Sequence, residues 1–224
     1  MKIHQIEPLG ISADLQNYYK SLSKKHGFEL TVWNNRPEDK KEVIARCKNT
    51  EVVIASNIPF DKTTIDALPD LKMISVAFTG TDHIDIEECH TRNIVVSNAA
   101  GYSTRSVAEL TIGMMISMLR DIVPNSQRTP KGEGRNNYTG FELHGKTIGI
   151  IGMGRIGKEV ARLCNAFGCT VLAWNRTMKK VTDVQFVALE YLLKKSDIVS
   201  LHVPLTPQTN GMISQEQFSL MKPT

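Results

Sequence analysis

The strongest chemical signature in this 224-residue chain is one glycine-rich hexapeptide, Gly152-Met153-Gly154-Arg155-Ile156-Gly157. Glycines at its first, third and sixth places mean little alone, because glycine turns are common. Here the apolar run Lys146-Thr147-Ile148-Gly149-Ile150-Ile151 leads straight into them. A stretch carrying Ile156, Val160, Leu163, Cys164 and Phe167 on one helical face follows, and Gly168 ends it. A strand, turn and helix in this order suit the pyrophosphate of a dinucleotide: Gly152 allows the tight turn, Gly154 lets the phosphates approach the backbone, and Gly157 lets helix and strand pack closely. The phosphates would meet N–H groups of the first helical turn, where Ile156 sits and where Arg155 either adds positive charge or points to water.

The next strand should end about 18 residues beyond the third glycine, where an Asp or Glu would accept hydrogen bonds from the ribose and repel a 2′-phosphate. This chain has Asn175-Arg176-Thr177 there. The missing acid and the neighbouring guanidinium tilt the choice toward NADP(H). NAD(H) stays open, since Asn175 can still bond a ribose and Arg176 could be an ordinary surface residue.

Other reactive side chains form no comparable constellation. Cys47, Cys89, Cys164 and Cys169 contain no C-x-x-C pair and are expected to be reduced and packed. Cys89-His90 with Asp82, His83 and Asp85 matches no metal-ligand spacing, so no metal is expected.

Around the hexapeptide the chain alternates β-rich and amphipathic runs, the signature of βαβ units on a parallel sheet. Strands are expected at 2–6, 29–33, 51–55, 73–77 and 94–97, with helices at 14–24, 38–48, 62–68 and 84–91 between them. That makes a small doubly wound domain over residues 1–100. Beyond it, Ser106-Val107-Ala108-Glu109 has the form of a capping box. The helix it would open, to about Leu119, is apolar almost all round and should be covered on most sides, between the domains or at a subunit interface. Residues 124–140, with Gly132, Gly134, Asn136 and Asn137, suggest an exposed loop or arm. After the glycine helix come strands at 170–174, 185–188 and 197–203, a helix at 189–195, and a helix capped by Ser214 with Gln217 three residues on.

With 41% hydrophobic and 22% charged residues and a net charge of +4, the chain has a globular composition. Its basic residues are dispersed, which gives nucleic-acid binding no electrostatic footing. The longest apolar stretch, near 110–119, is too short to cross a bilayer, so no membrane partner is expected. The first residues lack a signal core, which points to the cytoplasm.

From about Ile74 to Thr224 the chain resembles the D-isomer-specific 2-hydroxyacid dehydrogenases. The resemblance rests on VAFTGTDHID at 76–85, GYSTRSVAE at 101–109, LHGKTIGIIGMGRIG at 143–157 and SDIVSLHVPLTPQT at 196–209. It implies an α/β fold: a flavodoxin-like substrate (catalytic) domain over 1–100, then a Rossmann NAD(P)-binding domain, a doubly wound parallel sheet, over 101–224. It further implies that the turn Phe78-Thr79-Gly80 offers backbone N–H groups to a substrate carboxylate. Val107 would lie near the nicotinamide end of the cofactor, and His202, Val203, Pro204 and Thr209 would wall it. For His202 the plain alternative is a residue ending a buried strand.

The implied activity is hydride transfer between NAD(P) and a small 2-hydroxy or 2-oxo acid, in a homodimer. Members of the family use an Arg, a Glu and a His for carboxylate binding and proton transfer, and all three would fall past Thr224. No residue of this chain is therefore expected to be the catalytic base, and the Rossmann domain is expected to be incomplete at its C-terminal end. The strand at 197–203 would be left as an edge, which invites pairing with another chain unless the protein is longer. The rival reading is an NAD(H)-sensing, corepressor-type binding protein, or an inactive cofactor-binding fragment.

Overall fold

The computed structural model describes residues 1–133, 140–177 and 180–223. They form two compact units, Met1–Tyr102 and Ser103–Thr224.

The first unit alternates β1 (Lys2–Gln5), α1 (Ala13–Lys25), β2 (Glu29–Val32), α2 (Lys40–Cys47), β3 (Val52–Ala55), α3 (Lys62–Asp66), β4 (Met73–Val76), α4 (Ile86–Thr91) and β5 (Val95–Asn98). Its helices start where the sequence supplies an oxygen for an orphan N–H. Ser12, Asp39, Asp61 and Asp85 each accept from the amide three residues on, at Leu15, Glu42, Thr64 and Glu88. The five strands are all parallel, in the order β2-β1-β3-β4-β5, the flavodoxin-like doubly wound order. Ile6, Val53, Phe60, Ile65 and Ile74 form the centre of its core, all fully buried.

The second unit contains α5 (Thr104–Arg120), α6 (Ile122–Arg128), a 3-10 turn (Thr129–Lys131), β6 (Thr147–Ile151), α7 (Arg155–Ala166), β7 (Thr170–Trp174), β8 (Gln185–Phe186), α8 (Leu189–Lys195), β9 (Ile198–Leu201) and α9 (Gln215–Leu220). Its strands are parallel in the order β8-β7-β6-β9. The chain winds outward from β6 in one direction through β7 and β8, then returns to β9 on the other side. The carboxyl ends of β6 and β9 therefore bracket a topological switch point, the place where doubly wound sheets bind ligands. The capping box at Ser214 is present, with Gln217 Oε1 accepting from the Ser214 backbone at 3.1 Å.

Two expectations are corrected. The helix assigned to begin at Ser106 begins at Thr104, because the chain turns helical directly after Ser103; the Ser106 hydroxyl lies inside the helix and donates to Ser103 O at 3.0 Å. Ala108, Ile112 and Met115 of that helix are buried in the core it shares with α7, whereas Leu110, Met114 and Met118 are exposed. Finally, residues 124–128 are helical, α6 being the continuation of α5 past a left-handed Asp121 at φ 51°. Gly134, Asn136 and Asn137 lie outside the described residues.

All four cysteines are buried and free. Burial pushes the thiols of Cys47 and Cys164 up to about 12.

Candidate functional site

At the carboxyl end of β6 the backbone turns sharply, with Gly152 at φ +103°. A side chain there would be strained in conformation and would also meet the carbonyl of His202 at 2.5 Å. Gly157 packs so closely on the Gly152 carbonyl that a methyl group would overlap it. Gly154 differs from both: nothing lies within 4 Å of where its side chain would point. It is also the N-cap of α7, which receives no side-chain cap and has no acid in its first turn. The first N–H groups of any helix lack intrahelical partners, and the dipole makes that end attractive to anions. Open space over Gly154, an uncapped helix and an Arg155 side chain in the first turn together form a cradle that fits a pyrophosphate. Ile156 is half-buried in the same turn and packs toward Val160 and Ala161.

The turn is anchored from beneath. Met153, between two glycines, is fully buried in the core with Ile148, Ile150 and Val160. Gly152 N–H donates to Trp174 O at 2.9 Å, and Met153 N–H donates to Asn175 Oδ1 at 3.2 Å. The end of β7 is thereby fastened to the turn. Arg176 and Thr177, immediately beyond, are exposed.

Across the switch point, His202 N–H donates to Ile151 O at 2.8 Å, which brings the residues after β9 against the turn. The imidazole Nε2 of His202 lies 2.9 Å from Ser200 Oγ. Burial pushes His202 below the usual histidine range, so it is neutral at pH 7. Val203 is half-buried against the core formed by Ile151, Leu172, Leu192 and Leu193. The loop beyond is locked by two threonines: Thr206 N–H donates to Thr209 Oγ1 at 2.8 Å, Thr209 N–H donates to Thr206 Oγ1 at 3.2 Å, and Thr209 Oγ1 donates to Pro204 O at 2.6 Å. Thr206 was not singled out from the sequence, and its place three residues before Thr209 was the available signal.

Within its own unit, α5 packs on α7 and carries Val107, half-buried, one residue before the buried Ala108. Gly152, Gly154, Arg155, Ile156, Gly157, Asn175, His202, Val203, Pro204 and Thr209 thus gather around the ends of β6, β7 and β9. Among the described residues no group of three or more His, Cys, Asp or Glu could hold a metal ion.

The turn Phe78-Thr79-Gly80 belongs to the first unit, at the carboxyl end of β4. Asn98, the last residue of β5, donates from Nδ2 to Thr79 O at 2.7 Å, and Ala99 N–H donates to Phe78 O at 3.0 Å. Asn98 was missed in the sequence because its partner lies on a neighbouring strand. A side chain at Gly80 would meet Asp82 Oδ1 at 2.9 Å.

Residues 112–224 match the family described as D-isomer specific 2-hydroxyacid dehydrogenase, NAD binding domain. The chain belongs to this family. Its unit beginning at Ser103 is the Rossmann-type domain that the family uses for NAD. Over 217 residues the chain is 35% identical to a glyoxylate reductase of Korarchaeum cryptofilum, covering 92% of this chain and 65% of that protein. Among solved structures it superposes on an acyclic imino acid reductase in complex with NADPH and D-Arg, with a TM-score of 0.89, 31% identity, and coverage of 99% of this chain and 71% of the other. An NAD+-bound 3-phosphoglycerate dehydrogenase of Entamoeba histolytica gives a TM-score of 0.82 at 31% identity, covering 99% and 68% of the two chains. The chain spans between 36% and 65% of the length of the first three curated relatives it matches.

Proposed function

We propose that this 2-hydroxyacid dehydrogenase chain binds a nicotinamide dinucleotide at the switch point of its second unit and serves hydride transfer to or from a small 2-hydroxy or 2-oxo acid. The observation that carries the reading is the uncapped α7 with open space over Gly154, set against the loop after β9. When bound, the nicotinamide donates or accepts the hydride. The chain's own residues do the rest of what this reading asks: the first turn of α7 holds the pyrophosphate, and Val107, His202, Val203, Pro204 and Thr209 wall the cofactor. Thr79 and Gly80 turn backbone amides toward a substrate carboxylate.

The cofactor of this reading is NADP(H). No carboxylate stands at residues 175–177, and Arg176 and Thr177 are exposed where a 2′-phosphate would arrive. None of the chain's histidines is assigned as the catalytic base. His4, for one, is committed to Arg46 O at 2.7 Å.

A homodimer is part of the same reading, supported by the exposed Leu110, Met114 and Met118 of α5. Among the described residues no helix is long and apolar enough to cross a membrane.

Titration of the chain with NADPH and NADH, followed by protein fluorescence, tests the proposal. Saturable binding of NADPH tighter than NADH is expected. Binding of neither would refute the cofactor site, and light scattering at the monomer mass would refute the dimer.

A further inference from the structure

Asn175 stands where a ribose-reading acid would be looked for, yet its carboxamide is engaged within the chain at both ends. Oδ1 accepts from the Met153 amide at 3.2 Å, and Nδ2 donates to Thr177 O at 2.6 Å. Both partners are backbone groups of fixed polarity, so the carboxamide has one orientation: acceptor toward the glycine turn, donor toward the residues after β7. On the turn side, the grip falls on Met153, which is fully buried and does not move independently of the core. Next to it, the Gly152-to-Trp174 bond at 2.9 Å makes two consecutive ties between turn and strand end. On the other side, the bond to Thr177 closes the short segment on which the exposed Arg176 and Thr177 stand.

We infer that Asn175 is a positioning residue and not a ribose ligand: it braces the phosphate-binding turn to the segment 175–177 and so presents Arg176 and Thr177 to the 2′-phosphate of NADP(H). The inference rests on the dinucleotide reading of the site and adds the device that sets its preference. The same geometry explains why the residue is an amide and not an acid. An aspartate could still accept from Met153, but its second oxygen would face the Thr177 carbonyl at the 2.6 Å now spanned by an N–H donor, acceptor against acceptor. It would also add a negative charge beside the 2′-phosphate. Asparagine alone of the two satisfies the brace and tolerates the phosphate.

The test uses the full chain and three variants, N175A, N175D and R176A. Amide exchange at Met153 is measured without cofactor, with Ile148 as a control for global folding, and dissociation constants for NADPH and NADH are measured by titration. In N175A, exchange at Met153 should accelerate by about ten-fold, the scale of one lost hydrogen bond, and NADPH should weaken by about ten-fold and by more than NADH, because Arg176 and Thr177 lose their placement. In N175D, which is nearly isosteric, Met153 protection should persist while NADPH weakens by about ten-fold or more and NADH changes by less than about three-fold. R176A should weaken NADPH alone and leave Met153 exchange unchanged. With cofactor binding intact in the unmodified chain, an unaltered Met153 exchange in N175A, or wild-type NADPH affinity in N175D, would overturn the brace. Binding of neither cofactor by the unmodified chain would instead refute the dinucleotide reading and the 2′-phosphate assignment with it, while Met153 exchange would still judge the brace itself.

Discussion

At Gly157 a methyl group has nowhere to go, since the Gly152 carbonyl it would strike is backbone and cannot rotate away. Gly157→Ala is therefore expected to cost about 3 kcal/mol or more, the upper end for overpacking, and to abolish NADPH binding; urea denaturation and titration check both. Gly154→Ala meets open space and should cost only about 1 kcal/mol, the scale of a poorer N-cap, while obstructing the cofactor. His202 makes a second residue-scale prediction, on pH. Burial lowers its folded pKa below the ordinary 6.5, so between those two values the unfolded chain binds a proton that the folded chain refuses. The stability this neutral imidazole contributes is complete above 6.5 and is lost as pH falls toward the lowered value. Between pH 7.5 and 5.5 the urea midpoint of the wild type should thus fall more than that of His202→Gln. The glycines were legible in the sequence because each requirement is local: a turn, a close approach, a helix start. Asn175 was only half legible. Its position marked the ribose site, but its partners, an amide 22 residues earlier and a carbonyl two residues later, appear only when β7 lies beside β6.

Elements were legible where one physical signal dominated. The strand Thr170–Trp174 and the helix Leu189–Lys195 have the bounds expected from their apolar runs. The start of α5 was misplaced because Ser106 and Glu109 have the spacing of a capping box, but the chain is already helical from Thr104 and needs no cap at Ser106. Residues 122–128 offered no helical stripe for the sequence to show; none of them is buried, and their helicity follows from the preceding helix. Gly149 shows what periodicity leaves out. It reads as a weak place in an apolar strand, yet it is where α8 approaches β6, and a methyl group there would overlap Leu192 and Ser196 side chains. Because a leucine side chain can be shortened where a backbone cannot, this clash is correctable. Gly149→Ala should cost about 1–3 kcal/mol and Leu192→Ala about 2–5 kcal/mol, yet the double variant should be more stable than the sum of the two implies. Strict additivity in urea denaturation would show that α8 and β6 do not meet there.

At the scale of the whole molecule, the chain carries two cores that share no residue. One is built on Ile6, Val53, Phe60 and Ile74, and the other on Ile148, Ile150, Met153, Val160 and the adjoining Leu192 cluster. Each sheet buries its own apolar run. Alternating β and α runs suggested two α/β units, and the doubly wound order came from the family resemblance, because periodicity says which face is buried and nothing about which strand is next to which. Ligand binding gives this division a thermodynamic consequence. Residues proposed for the dinucleotide all belong to the second unit, so NADPH stabilises only states in which that unit is folded. At a hundred times its Kd the ligand adds about 2.7 kcal/mol, which for a unit of this size raises the transition on the order of 10 °C. Scanning calorimetry of the intact chain should resolve two transitions without cofactor, and NADPH should move one of them by that amount and leave the other in place. A single transition that shifts as a whole would mean that the two cores unfold as one cooperative body. Movement of the transition belonging to Met1–Tyr102 alone would place the nucleotide in the wrong half of the chain.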